Sequence, residues 1–365
     1  MSKKSSASSR TKRSASTART SPAKKKAASK KAPAKKKAAS KKTPAKKKAA
    51  SKKTASKKTA SKKAPARRVR KSKEPLVIGS PSLMQAMSAA HRREGRTVGF
   101  VPTMGALHEG HLALIREARL RADLVVVSIF VNPKQFNEKK DLNAYPRDLA
   151  ADVEMCKSAG VDVVLAPPAE AIYPSGSTIN VSAGTLGRVL EGKSRPGHFD
   201  GVLTVCTALF SIVQPHFAVF GEKDFQQLTL IKRLVRDLHF PIEIVPMPVL
   251  RDVDGLALSS RNVRLNKRNR QRALCLFKAL THVQERVFEG EVRTRVLLRE
   301  AKALIKNTPD FRLDYCNIVE PYGMGAIDRV NDGARLVLAG SIGEGKKEVR
   351  LLDNGPLFVG RDADI

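Results

Sequence analysis

The sequence predicts an α/β protein: a doubly wound parallel sheet, then a smaller C-terminal α+β domain, the whole preceded by a disordered basic tail. Three observations carry this reading. From Pro75 onward, short apolar runs of strand length alternate with helical patterns. After the "SSRN" at 259–262 the texture changes to long helices followed by strands. Residues 1–74, by contrast, hold 30 Lys and Arg against the single acid Glu74.

That first segment leaves 39 of the 69 basic and 33 of the 34 acidic residues to the rest of the chain, so the net charge of +35 divides into about +29 and +6. Residues 1–74 contain no aromatic side chain. They bury too little apolar surface to offset chain entropy, and their like charges repel, which predicts disorder. The near-repeats "AASKKAPAKKK", "AASKKTPAKKK" and "AASKKTASKKTASKK" are too short and polar for solenoid units and read as a low-complexity array. Neither the apolar core of a secretory signal nor an amphipathic transit pattern is present, and no apolar run reaches the length of a membrane span. Cys156, Cys206, Cys275 and Cys316 are scattered without a CxxC pair, which suits small buried thiols in a reducing cytoplasm.

The strands come in order at 97–103 (TVGFVPT), 124–131 (LVVVSIFV), 161–167 (VDVVLAP), 216–221 (HFAVFG) and 242–249 (IEIVPMPV). Continuous apolar runs of this length suit strands buried on both faces of a parallel sheet. Helical patterns at His111 to Ala122, Arg147 to Ala159, Gly201 to Val213 and Phe225 to Leu238 supply the crossovers of a Rossmann-like arrangement. The domains are expected at 75–252 and 253–365. The second begins with one long helix, Lys267 to Phe288, and a shorter one, Thr294 to Ile305. Its strands are "FRLDYCNIVE", "ARLVLAGSI" and "VRLLDN".

Ligands of doubly wound sheets bind outside the carboxyl ends of the strands, so the residues that follow each strand matter most. They are "PTMGALHEGH", "NPKQF", "GEKDFQQ" and "RDVDGLALSSRN", with "KSRPGHFDG" before the helix leading to the fourth strand. In "MGALHEGH" a glycine turn leads into a helix whose opening amides can bind an anion, and His108 and His111 share one helix face. Two imidazoles there can donate to a phosphate chain and meet charge developing as pyrophosphate leaves. The same pair could ligate zinc, but the spacing is not that of HExxH and no third ligand is near. Surface or core histidines are the plainer alternative. Lys223 in "GEKD" is either a solvated lysine or a point charge on phosphate, and "LSSRN" is a helix cap, a phosphate clamp, or both.

Taken together, "VPTMGALHEGHLALI", "FVNPKQF", "YPR", "RPGHFDGV", "GEKDFQQL" and "DGLALSSRN" resemble, in order and spacing, the signature segments of the pantoate–beta-alanine ligase family. The resemblance spans about residues 76–365, including the closing "RLLDN", and excludes the tail. It implies an adenylate-forming nucleotidyltransferase with an H-x-G-H signature: (R)-pantoate attacks the α-phosphate of ATP, and β-alanine then displaces AMP. Carried onto this sequence, it implies an ATP-binding segment formed by Met104, Gly105, Ala106, Leu107, His108, Glu109, Gly110 and His111. His111 would be the proton donor and His108 would lie on the phosphates. Gly221, Glu222, Lys223 and Asp224 would contact ATP, Lys223 on its phosphates and Leu250 by the adenine. Leu258, Ser259, Ser260 and Arg261 would close over the nucleotide. Gln135 and Gln227 would hold pantoate, Asn132 would shape that pocket, and Arg195 and His198 would lie near pantoate and the phosphates. No resident metal ligands are implied, Mg²⁺ would travel with ATP, and the family pattern is a homodimer.

Two positions depart from the usual pattern: Lys140, where an acid is usual, and Phe225, where Tyr is frequent. Two rival readings remain. A different nucleotidyltransferase would share the histidines but lack "RPGHFDG" and "GEKDFQQL", and a nucleic-acid-binding protein with a degenerate passenger would not keep the site motifs intact. The tail resembles histone H1-type basic segments: its charge suits nucleic acid bound with little sequence preference, and an anionic membrane, polyphosphate or a plain solvated extension with no specific partner are the alternatives.

Overall fold

The computed structural model describes residues 74–136, 142–143, 145–345 and 348–360. The expected disorder of the tail and the contribution of Lys140 therefore lie outside the described residues.

Six parallel strands make the first sheet: β1 (Leu76–Ile78), β2 (Val98–Thr103), β3 (Leu124–Ile129), β4 (Val163–Leu165), β5 (Phe217–Gly221) and β6 (Glu243–Met247). Their spatial order is β1-β4-β3-β2-β5-β6. The chain runs outward from β2 through β3 to β4, then returns to place β5 on the other side of β2. Strand order reverses between β2 and β5, which is where such sheets open a crevice. The register sharpens this. β2 pairs with β3 from Val98↔Leu124 to Thr103↔Ile129, but with β5 only at Gly99↔Phe217 and Phe100↔Ala218. The carboxyl ends of β2 and β5 are thus free to splay.

The alternation of side chains divides the core in two. Val98, Phe100, Leu124 and Val126 face one side, and Val101, Val125 and Val127 the other. The first side is covered by α1 (Pro81–Arg93) and by two later helices that flank β5. The second is covered by α2 (Glu109–Arg121) and α3 (Leu149–Ser158). After α4 (Ala169–Ile172) and α5 (Glu191–Ser194) come those two helices, α6 (His198–Val213) and α7 (Phe225–Asp237). Phe210 of α6 meets the rings of Phe100, Phe220 and Phe240 edge-on at 6.4, 6.4 and 5.8 Å, which locks the helix onto the sheet.

The second sheet is antiparallel, β7 (Phe311–Val319), β8 (Arg335–Ile342) and β9 (Val349–Pro356) in that order. It packs with α8 (Lys267–Ala273), α9 (Cys275–Phe288) and α10 (Thr294–Lys306) around a separate core centred on Leu276, Leu280, Leu297 and Ile318.

The structure differs from the sequence reading at β1, at α1, at β6 and in the long helix after residue 267. β1 and α1 were not anticipated, because three residues at a sheet edge with Leu76 and Val77 exposed carry no burial pattern. Ser80, which caps α1, and Pro81 at its first turn were the available signal. β6 is an edge strand rather than one buried on both faces; Glu243 is exposed and Pro246 sits in the ladder, as an edge allows. The long helix 267–288 is broken at Leu274, whose ψ of −10° tightens one turn between α8 and α9. All four cysteines are free, and burial pushes their thiols up, to about 11 at Cys275 and about 12 at the others. Among the described residues no helix is long and apolar enough to cross a membrane.

Candidate active site

The H-x-G-H segment leaves β2 through a left-handed turn, Gly105 at φ +79° and Ala106 at +51°, and enters α2 with His108 as its cap. His108 Nδ1 accepts the Gly110 N–H at 3.1 Å. Gly110 is needed for that contact: a Cβ there would lie 2.7 Å from the His108 ring. The His108 carbonyl takes the N–H groups of both His111 (2.8 Å) and Leu112 (3.1 Å). The opening amides of α2 are therefore largely capped by His108 itself, in contrast to the open anion nest the spacing suggested. What His108 offers the cleft instead is Nε2–H, because Nδ1 is the acceptor.

The His108 and His111 rings lie 4.1 Å apart, centroid to centroid. Burial, then the Lys223 charge, lowers the His108 pKa. Burial, then His108, lowers that of His111 from 6.5 to about 3, against the opposing pull of Asp224. Both rings are therefore neutral at neutral pH and available to donate hydrogen bonds without carrying charge; His111 Nδ1 is buried with no partner among the described residues.

Asn132, 1 % exposed, caps the 3₁₀ turn Pro133–Gln135. Its Nδ2 donates to Gln135 Oε1 (3.0 Å) and Gly201 O (3.0 Å); its Oδ1 accepts from Lys134 N (3.2 Å) and the Tyr173 hydroxyl (2.8 Å). With every bond internal, Asn132 acts on the pocket by fixing Gln135. Gly201 explains how α6 comes so close, since a Cβ there would lie 2.3 Å from the Lys134 carbonyl. His198 Nδ1–H donates to Gln135 O (2.9 Å), and its Nε2 accepts from Arg195 Nη1 (3.2 Å). Burial, then Arg195, lowers the His198 pKa to about 4, which keeps that lone pair free to hold the guanidinium.

Across the crevice, the 3₁₀ turn Glu222–Asp224 follows β5. Asn354 of β9 holds it, Nδ2 donating to the carbonyls of Glu222 (3.0 Å) and Lys223 (2.9 Å). Asp224 is solvent-accessible. Enclosure in the cleft works to raise its pKa, but Lys223, Arg261, His198 and Arg195 prevail and lower it. Phe225 is buried under the Arg335 guanidinium, 4.0 Å from its ring centroid, so the absence of a Tyr hydroxyl there leaves no gap in the cleft. The clamp segment forms a short loop: Leu258 N donates to Leu250 O (2.9 Å), Ser259 Oγ accepts from Arg261 N (3.3 Å), and Ser260–Arg264 is a 3₁₀ turn. A Cβ on Gly110 would come within 3.8 Å of Leu258, so this loop borders the histidine segment.

The structure thus brings His108, His111, Lys223, Asp224, Arg195, His198 and Arg261 into one electrostatic neighbourhood. Two side chains of the sequence-derived set are engaged elsewhere. Glu109 pairs with Arg116 on the exposed flank of α2, and Glu222 pairs with Arg335. Of the two glutamines in "FQQ", Gln226 is structural: it bonds Glu191 N and the carbonyls of Leu186 and Val189, leaving the half-buried Gln227 beside it. A mainly apolar cavity of about 400 Å³, lined by Met104, Phe130, Leu149 and Asp152, lies on the β3–β4 side of the loop, away from the histidines. Among the described residues, no three His, Cys, Asp or Glu side chains group as metal ligands would.

The model of the family described as pantoate-beta-alanine ligase matches residues 76–356. The chain belongs to the pantoate-beta-alanine ligase family. It is 48 % identical over 264 residues to the pantothenate synthetase of Aquifex aeolicus, covering 72 % of this chain and 92 % of that one. With the Nocardioides enzyme of the same name it shares 45 % over 298 residues, 79 % of this chain and 87 % of that one. The crystal structure of pantothenate synthetase from Thermus thermophilus superposes with a TM-score of 0.72 at 44 % identity, covering 78 % and 99 %. That of pantoate-beta-alanine ligase from Francisella tularensis, complexed with beta-gamma ATP and beta-alanine, gives 0.63 at 34 % identity, covering 77 % and 97 %.

Within this family site, sequence reasoning missed the residues that hold the loops. Asp152 accepts from two loop amides, the Tyr145 hydroxyl reaches the Gly105 carbonyl at 3.5 Å, and Asn354 reaches the 3₁₀ turn from the other sheet. Tyr145 and Asn354 stood inside the quoted segments "YPR" and "RLLDN" without a role assigned to them, and Asp152 is an acid four residues before Cys156 on the buried face of α3.

Proposed function

We propose that the chain condenses (R)-pantoate with β-alanine at the expense of ATP, through a pantoyl adenylate. Family membership supports ATP-dependent ligation of these two substrates. The observation that carries the reading is the meeting of neutral imidazole donors with the Lys223, Arg195 and Arg261 cations at the point where strand order reverses. In the first step a pantoate carboxylate oxygen bonds to the α-phosphorus while the bond to pyrophosphate breaks. In the second, the β-alanine nitrogen bonds to the acyl carbon and AMP leaves. A carboxylate is a usable nucleophile, so catalysis rests on positioning and on charge neutralisation.

His108 and His111 would donate hydrogen bonds to the phosphates, the donor role carried over to His111 being that of a neutral N–H directed at the departing pyrophosphate, with Lys223 as point charge beside them. Met104–His111 and Gly221–Asp224 would flank ATP, Leu250 its adenine, and Leu258, Ser259, Ser260 and Arg261 would close over it. Gln135 and Gln227 would hold pantoate, Asn132 keeping Gln135 in place, and Arg195 would meet the carboxylate or phosphates with His198 orienting it. One carboxylate, Asp224, among four cationic or imidazole groups fits Mg²⁺ carried in on ATP phosphates and water better than a resident ion. We further infer a homodimer on the family pattern and a cytoplasmic setting, which the four buried free thiols support.

AMP release by the purified chain is expected to require ATP, pantoate and β-alanine, each omitted in turn. Release that persists without pantoate or β-alanine overturns the ligase reading. Exchange of labelled pyrophosphate into ATP is expected with pantoate alone; a requirement for β-alanine in that exchange rejects the adenylate.

A further inference from the structure

Three consecutive N–H groups open the loop between β2 and α2, and all three are taken. Gly105 donates to Thr103 Oγ1 (3.2 Å), Ala106 to Asp152 Oδ2 (3.0 Å) and Leu107 to Asp152 Oδ1 (2.8 Å). Asp152 comes from α3 and is 4 % exposed. Among the described residues no Lys or Arg pairs with it, so its charge is met by backbone dipoles. The residue it grips is the unusual one. Ala106 stands at φ +51°, a left-handed conformation that costs an L-residue roughly 1–2 kcal/mol. A carboxylate accepting two successive N–H groups makes two charge-assisted hydrogen bonds and can hold that turn against its own strain.

We propose that Asp152 is the positioning residue of the H-x-G-H loop: by bridging the Ala106 and Leu107 amides it keeps Ala106 left-handed and so aims His108 and His111 into the cleft. Only Leu107 separates Ala106 from the cap His108, whose Nδ1 bond to Gly110 and close approach to it leave little angular freedom. A relaxed Ala106 would change the direction from which the chain enters α2 and displace the His108 ring from its place near Lys223. The inference rests on the phosphate-facing roles given to the two histidines above.

The test is a double-mutant cycle on AMP release, with ATP varied. Asp152→Asn keeps the side-chain shape but replaces an accepting oxygen with an NH₂ group, so one loop amide loses its partner. It is expected to lower kcat/KM for ATP by about 10–100-fold, the effect of one to two lost hydrogen bonds on a preorganised loop. In the Ala106→Gly background the same change is expected to have a clearly smaller effect, because glycine takes positive φ without strain. An equal factor in both backgrounds overturns the proposal, as does a fall in melting temperature alone with kcat/KM intact. Should Asp152→Asn not fold, Ala106→Val leaves α3 untouched and places a β-branched residue where φ is positive; it is expected to reproduce the loss, and parental kinetics there also overturn the proposal. A parent chain that releases no AMP counts against the ligase reading instead.

Discussion

A histidine that caps a helix has two ring nitrogens to place, and at His108 the Gly110 N–H decides between them by occupying Nδ1. At His198 the choice is reversed: Nδ1–H is given to the Gln135 carbonyl and Nε2 faces Arg195. In both cases the neutral ring is the useful one, and burial enforces neutrality. This has a pH consequence. The unfolded chain protonates its imidazoles near 6.5, whereas the folded chain resists to about 3 at His111 and about 4 at His198. Within that window the unfolded state binds more protons, so this stability is complete above 6.5 and is lost as pH falls, by at most about 1.4 kcal/mol per unit for each ring. Melting temperatures from pH 8 to 4.5 are expected to fall more steeply for the parent than for His198→Gln; parallel slopes would sink the assignment. The identities of the candidate residues were legible from the motifs. Their tautomers, and the closed bonding of Asn132, were not, because both depend on backbone atoms that a linear pattern does not locate.

At the scale of elements, the strands that carry the site were readable because both faces of β2, β3 and β5 are buried and their sequences are correspondingly apolar throughout. Edges were harder: β1 is too short to carry a pattern, and β6 is apolar yet half open. The turn that presents Lys223 illustrates what local sequence omits altogether, since its two carbonyls are held by Asn354, 131 and 132 residues away. Asn354 is 3 % exposed, and Arg335 beside it pairs with Glu222, so β8 and β9 form the back wall of that turn. Asn354→Asp exchanges a donor for an acceptor facing two carbonyls at nearly constant volume. It is expected to reduce stability by about 1–3 kcal/mol and to lower AMP release more than melting temperature alone would predict at 25 °C. A variant with parental activity and an unchanged melting temperature would show that the second sheet does not hold the turn that carries Lys223.

For the whole molecule, the decisive asymmetry is between charge and chemistry. The family match begins at residue 76, and every candidate site residue lies beyond it, in a part of the chain whose net charge is only about +6. The remaining charge of about +29 precedes the match, on residues without a single aromatic ring to stack on bases. Such a segment can bind a polyanion through counterion release alone, with affinity that collapses as salt rises and with little preference among sequences. Catalysis and polyanion binding are therefore expected to separate cleanly. A chain beginning at Pro75 is expected to keep the AMP-release rate of the full chain, because no candidate residue is removed. The full chain is expected to shift duplex DNA of unrelated sequences equally, losing on the order of 10³-fold or more in affinity between 50 and 200 mM salt if six or more phosphates are contacted. The shortened chain is expected to give no shift at 50 mM salt. DNA binding that ignores salt, or that survives removal of residues 1–74, would place the nucleic-acid surface on the folded part; loss of AMP release on shortening would instead make the basic segment part of the catalytic machinery.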